Sequence, residues 1–299
     1  MTVPAERSPE NGDSSSSTAE RFRLTGPSLP LDPRIHAWRR DVADIALAGQ
    51  VIAPHYARPM VRSCGSRATL VRPGPEESEA VSELLPGEEF AVLEFSGGRA
   101  WGYCLADHVV GYVEAIELTD PAPPSHIVCE KCAPVSADER ITSPVLASLP
   151  MGARLHGEEH GACLSTEYGC VPLSHLRRIG DYDSDPVIVA ERLIGSPYLP
   201  GGRSFHGIDG PGLVQLALGL CGVPAPRLAD KQKSIGRAVP ESAPLRRGDI
   251  VTFDGEAGLM VDDLMMIHAC AANERVAVEP LSVVERRMDC VGGRRRIDL

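Results

Sequence analysis

Between Gly49 and Leu118 the apolar runs are short, and turn signals interrupt them at Pro73-Gly74, Gly97-Gly98 and Asp107-His108. Punctuation at this density favours short strands and turns over a helical bundle, because Gly and Pro end a periodic run. Strands are expected over 60–62, 69–72, 89–95, 100–105 and 109–113, enough to close a small barrel over 49–119. The whole chain leans the same way, with 29 Gly and 26 Pro against 4% aromatic residues.

Pro121-Ala122-Pro123-Pro124 reads as a stiff linker. A second small β module is expected over 126–179. Its segment from Pro144 to Gly152 echoes the segment from Ala80 to Gly87: a strand, then a turn containing Pro and Gly, then another strand. Ahead of both modules, residues 1–30 are polar and read as a disordered extension. The apolar spacing of Ile35, Trp38, Val42 and Ile45 predicts a helix over 32–48.

After Asp181 the pattern changes. Asp185 is placed to cap a helix that starts at Pro186 and stops at Gly195. A glycine-rich loop, 201–212, leads into a second helix carrying Leu213, Leu216, Ala217 and Leu220, with Gly222 as its stop. Strands follow over 249–253, 258–261, 264–269 and 275–279. Helices followed by an antiparallel sheet make an α+β domain over 183–299.

This last region resembles the NlpC/p60 family of cell-wall cysteine peptidases. The resemblance rests on Gly195-Ser196-Pro197-Tyr198, Gly201-Gly202-Arg203, Gly207 to Gln215, Arg247-Gly248-Asp249 and Ile267-His268-Ala269, in that order. It implies a papain-like α+β domain, and the two upstream modules look like the SH3-like barrels found ahead of such domains. It also implies a peptidoglycan stem peptide or muropeptide as ligand. In the family a cysteine ionises at a helix N-terminus, where the helix carries partial positive charge. A histidine on the sheet takes its proton, and a second polar residue orients that imidazole.

On this alignment the nucleophile position is Gly210, the base position is Glu256, and His268 keeps the orienting position. Tyr198, Asp209 and Arg203 are the implied substrate-binding residues. Pro200 stands where a tryptophan is common, and Val109 where the first SH3-like module often offers a tyrosine. A chain without nucleophile and base is expected to bind without cleaving. Two other readings stay open: a cysteine peptidase using compensating residues, and a metal-dependent hydrolase built on Asp209, Glu256 and His268. A plainer expectation for those residues is a cross-strand ion pair between Glu256 and His268. If the alignment holds, Gly210→Cys with Glu256→His should rebuild the triad.

Cys129 and Cys132 with Cys163 and Cys170 raise the question of a zinc site, weakened by the loose second pair. No metal and no cofactor is expected. A net charge of −11 argues against nucleic acid as the main partner. No apolar run reaches the roughly 18 residues that a membrane span needs. No signal peptide is visible, and nine cysteines do not suggest a disulfide framework. These features point to a cytoplasmic protein.

Overall fold

A computed structural model describes residues 31–140, 142–288 and 292–298. The expected disordered extension, 1–30, lies outside the described residues. Residues from Asp32 onward pack as one compact unit.

The first barrel is a five-stranded antiparallel sheet in the order Val110–Glu114, Arg99–Cys104, Glu89–Ser96, Met60–Cys64, Leu118–Thr119. A two-stranded ribbon, Thr69–Val71 with Ser82–Leu84, closes over it. Inward positions alternate along each strand, so Val71, Leu84, Phe90, Val92, Ala100 and Val113 form one buried core. Val109 is in this core as well.

The second barrel pairs a three-stranded sheet around His126–Val128 with a five-stranded sheet in which Cys132–Ser136 joins Val145–Pro150 to Gly169–Pro172. Val128, Val135, Leu149, Leu155, Leu164 and Val171 fill it. The echo between the two modules has a backbone cause: Gly87 and Gly152 follow the echoed strands and take φ of 76° and 87°, a region that favours glycine. Cys163 and Cys170 form a disulfide across one hairpin of this barrel. They are therefore not zinc ligands alongside Cys129 and Cys132, and the four-cysteine site does not form.

The helix expected over 32–48 is absent. Val42–Asp44 is instead a strand paired in parallel with His55–Ala57, and a single 3-10 turn follows over Ile45–Leu47, capped by the Asp44 carboxylate. Trp38 and Ile45 are exposed, so the helical spacing never formed a buried face. Ala37, Val42 and Ala57 pack on Trp101 of the first barrel, and the Arg39 guanidinium lies 4.3 Å over its ring. Tertiary contacts outweighed the local pattern.

The C-terminal domain has the expected α+β layout. Helix α1 spans Pro186–Glu191 and is capped by Asp185; helix α2 spans Gly210–Leu220. Strands β1 (Ile250–Thr252), β2 (Ala257–Met260), β3 (Met265–Cys270) and β4 (Arg275–Pro280) are consecutive neighbours in a six-stranded antiparallel sheet. One face of the sheet, with Ile250, Leu259, Ile267 and Ala269, packs on α1 and α2. The other, with Met260 and Met266, packs on helix α3, Leu281–Arg287. Among the described residues no helix is long and apolar enough to cross a membrane.

Candidate functional site

The structure brings Gly210, Glu256, Tyr198 and Asp209 together at the N-terminus of α2. Asp209 is the cap residue there. One carboxylate oxygen accepts the Gly212 amide at 2.8 Å; the other accepts the Gly201 amide at 2.8 Å and the Arg227 guanidinium at 2.7 Å. Asp209 was expected to bind substrate; in the structure each of its oxygens already accepts a donor from the protein. Its role here is to start the helix and hold the glycine-rich loop.

Glu256 sits in the turn before β2, and the Tyr198 hydroxyl donates to its Oε1 at 3.2 Å. Its Oε2 is buried without a hydrogen-bond partner among the described residues. Burial, then the nearby Asp209 carboxylate, pushes the Glu256 carboxyl up to about 7. The same surroundings, burial first and Glu256 second, raise the Tyr198 phenol, so it stays a donor.

Gly210 has neither a side chain nor room for one. A Cβ there would lie 2.4 Å from the Ala257 carbonyl oxygen and 2.6 Å from Glu256 Oε2. The backbone entering β2 and the Glu256 carboxyl thus occupy the space a nucleophile would need. The idea that Gly210→Cys with Glu256→His rebuilds a triad meets this obstacle: replacing Glu256 leaves the Ala257 carbonyl where it is.

His268 is elsewhere. Its neighbours Ile267 and Ala269 face α2, so alternation along β3 turns His268 to the α3 face with Met266 and Cys270. There its Nε2 meets Glu279 Oε2 at 2.8 Å. Glu279 also accepts from Asn273 at 2.6 Å and from Arg287 at 2.9 and 3.1 Å. Arg287 is the main reason its carboxyl is held down to about 2. Burial lowers the His268 imidazole and favours the neutral ring. The expected Glu256–His268 ion pair does not form.

The alternative metal site of Asp209, Glu256 and His268 does not assemble either. Among the described residues the metal-capable donors that lie within 4.8 Å of one another belong to His268, Cys270 and Glu279. Arg287 already donates to both Glu279 and the Cys270 sulfur, the latter at 3.3 Å, so a fixed cation holds that position. Cys221 follows the far end of α2, a helix length from Gly210, and burial pushes its thiol up to about 11.

Arg203, expected to bind substrate, is tied into the seam with the first barrel. It is 6% exposed, and its guanidinium grips Glu88 of the first barrel through two bonds of 2.7 and 3.0 Å. Its amide donates to Glu83 Oε2 at 2.7 Å. The sequence alignment missed Glu83 and Glu88 because they lie 120 and 115 positions away, beyond the reach of local spacing. Val109, buried in the barrel core, offers nothing to a cleft.

Residues 195–292 match the NlpC/P60 family, and residues 71–118 match the bacterial dipeptidyl-peptidase Sh3 domain. A relative named dipeptidyl-peptidase 6, from Lysinibacillus sphaericus, is 25% identical over 233 residues, 68% of this chain and 85% of that protein. A crystal structure of an NlpC/P60 family protein from Bacillus cereus ATCC 10987 superposes with a TM-score of 0.69, covering 79% of this chain and 99% of that one. At 17% identity the second likeness is one of fold.

Proposed function

We propose that this NlpC/P60-family chain, with an SH3-type module ahead of its family domain, binds peptidoglycan stem peptides without cleaving them. Cysteine-peptidase chemistry passes through a covalent intermediate on a nucleophile. The position aligned with that nucleophile is Gly210, and losing the group costs on the order of a millionfold in turnover. One observation carries the reading: the Cβ space at Gly210 is taken by the Ala257 carbonyl oxygen at 2.4 Å and by Glu256 Oε2 at 2.6 Å. The site lacks the reactive atom and also the volume to regain it. A peptide as ligand is supported by the family match and by the relative, whose name is that of a peptidase.

The test is to incubate the full chain with synthetic stem tripeptide and tetrapeptide, following cleavage by mass spectrometry and binding by calorimetry. Binding without turnover is the expected result. Turnover abolished by thiol alkylation would replace this reading with an active cysteine peptidase.

A further inference from the structure

A cavity of about 470 Å³ opens at the junction of the two barrels and the C-terminal domain, along the side of α2 and towards its C-terminal end. We propose that it is a binding site for a short zwitterionic peptide, separate from the closed N-terminus of α2. The inference deepens the reading that this chain binds peptides, and rests on it for the choice of ligand. Its volume falls within the range of about 300–1,000 Å³ typical of small-molecule sites.

The floor is apolar, with Leu216 and Leu220 from α2 and Ile127 from the second barrel. The polar groups converge with opposite signs. Arg154 of the second barrel is half-buried in the wall, while Glu89 of the first barrel and Asp181 before α1 are exposed at the rim. Among the described residues none of these three forms a side-chain ion pair; the buried Glu88 feels the charge of Arg154 but is itself bonded to Arg203. A guanidinium beside apolar surface suits a carboxylate, and the two rim carboxylates suit an ammonium. A free peptide carries both groups on one small body.

Gly219 supplies an independent reason. It lines the cavity from inside α2 in ordinary helical conformation, where glycine costs stability. No packing requirement explains it, since a Cβ there would meet nothing within 4 Å. Any larger residue would project into the open volume. A glycine that weakens the helix and touches nothing keeps a wall clear.

Gly219→Trp tests this directly, because the new side chain enters empty space and leaves the core intact. Calorimetry with the synthetic stem tripeptide at up to millimolar concentration should show binding to the wild type and none to Gly219→Trp. Arg154→Gln should weaken binding about tenfold or more, as expected for losing a charge-assisted contact. Blocking the peptide at either terminus should weaken it similarly. Thermal unfolding confirms that both variants are folded. If the wild type binds and both variants bind equally well, the cavity is not the site, while the proposed function stands. If the wild type does not bind, both proposals fail. If the peptide is cleaved but both variants still lose binding, the proposed function fails and the cavity stands.

Discussion

Helix α2 has a glycine at each end, and the two are opposite in character. At Gly210 a Cβ would strike a backbone carbonyl at 2.4 Å; at Gly219 it would meet nothing within 4 Å. The first end is a closed knot of Asp209, Glu256, Tyr198 and Arg227; the second borders a cavity shared by three domains. The same residue type thus has its side-chain space filled at one end and left open at the other. A missing side chain means little until its surroundings are known.

The largest expected effect lies beside the open end. The Arg203–Glu88 pair, with side chains 7% exposed on both sides, ties the first barrel to the C-terminal domain, and both residues line the cavity. Arg203→Ala leaves Glu88 buried and unpaired, so denaturant unfolding should report a loss of about 3–5 kcal/mol. If the cavity is a built feature of this seam, peptide binding should fall in the same variant. Little change in either would mean that the junction holds together by apolar contact alone.

At the closed end, Gly210→Cys should cost about 1–3 kcal/mol, because a backbone carbonyl must move to admit the Cβ. Mass spectrometry should find no stem-peptide cleavage, even with Glu256→His added. Recovered cleavage would show that the closed end opens at low cost, and would erase the contrast between the two glycines.

Glu256 gives that end a pH signature. Its carboxyl is raised from 4.5 to about 7 in the folded protein, so the native state binds this proton more tightly than the unfolded chain. Its contribution is complete below about pH 4.5 and is lost as pH rises through 7, a loss on the order of 3 kcal/mol. Glu256→Gln should remove this slope from a stability profile between pH 5 and 8. An unchanged slope would place its origin elsewhere.

The smallest effect belongs to Gly219→Ala, which should stabilise the protein by about 0.5–1 kcal/mol through helix propensity alone. A loss of stability would mean that the open end is tighter than its geometry implies.

Much of the fold was legible from local chemistry. Asp185 announces a helix start because a short acidic side chain before a helix satisfies free amides, as it does here; Asp209 does the same for α2, a role its sequence reading as a substrate-binding residue did not include. Strand positions in both barrels follow from alternation and from glycines such as Gly87 and Gly152, which allow the turn between strands. The region 32–48 misled because its helical spacing had no surface to bury, while Trp101, more than fifty residues away, did.

Of the candidate site, the sequence by itself determined that Gly210 has no reactive atom and that Glu256 and His268 precede and occupy successive strands. Only the tertiary structure decided which side chains meet. It turned His268 to Glu279, drew Arg203 to Glu88, and pressed the Ala257 carbonyl against Gly210. Residue identity is a local property written in the chain, whereas pairing and free space depend on segments far apart in sequence, whose approach is set by the packing of whole domains.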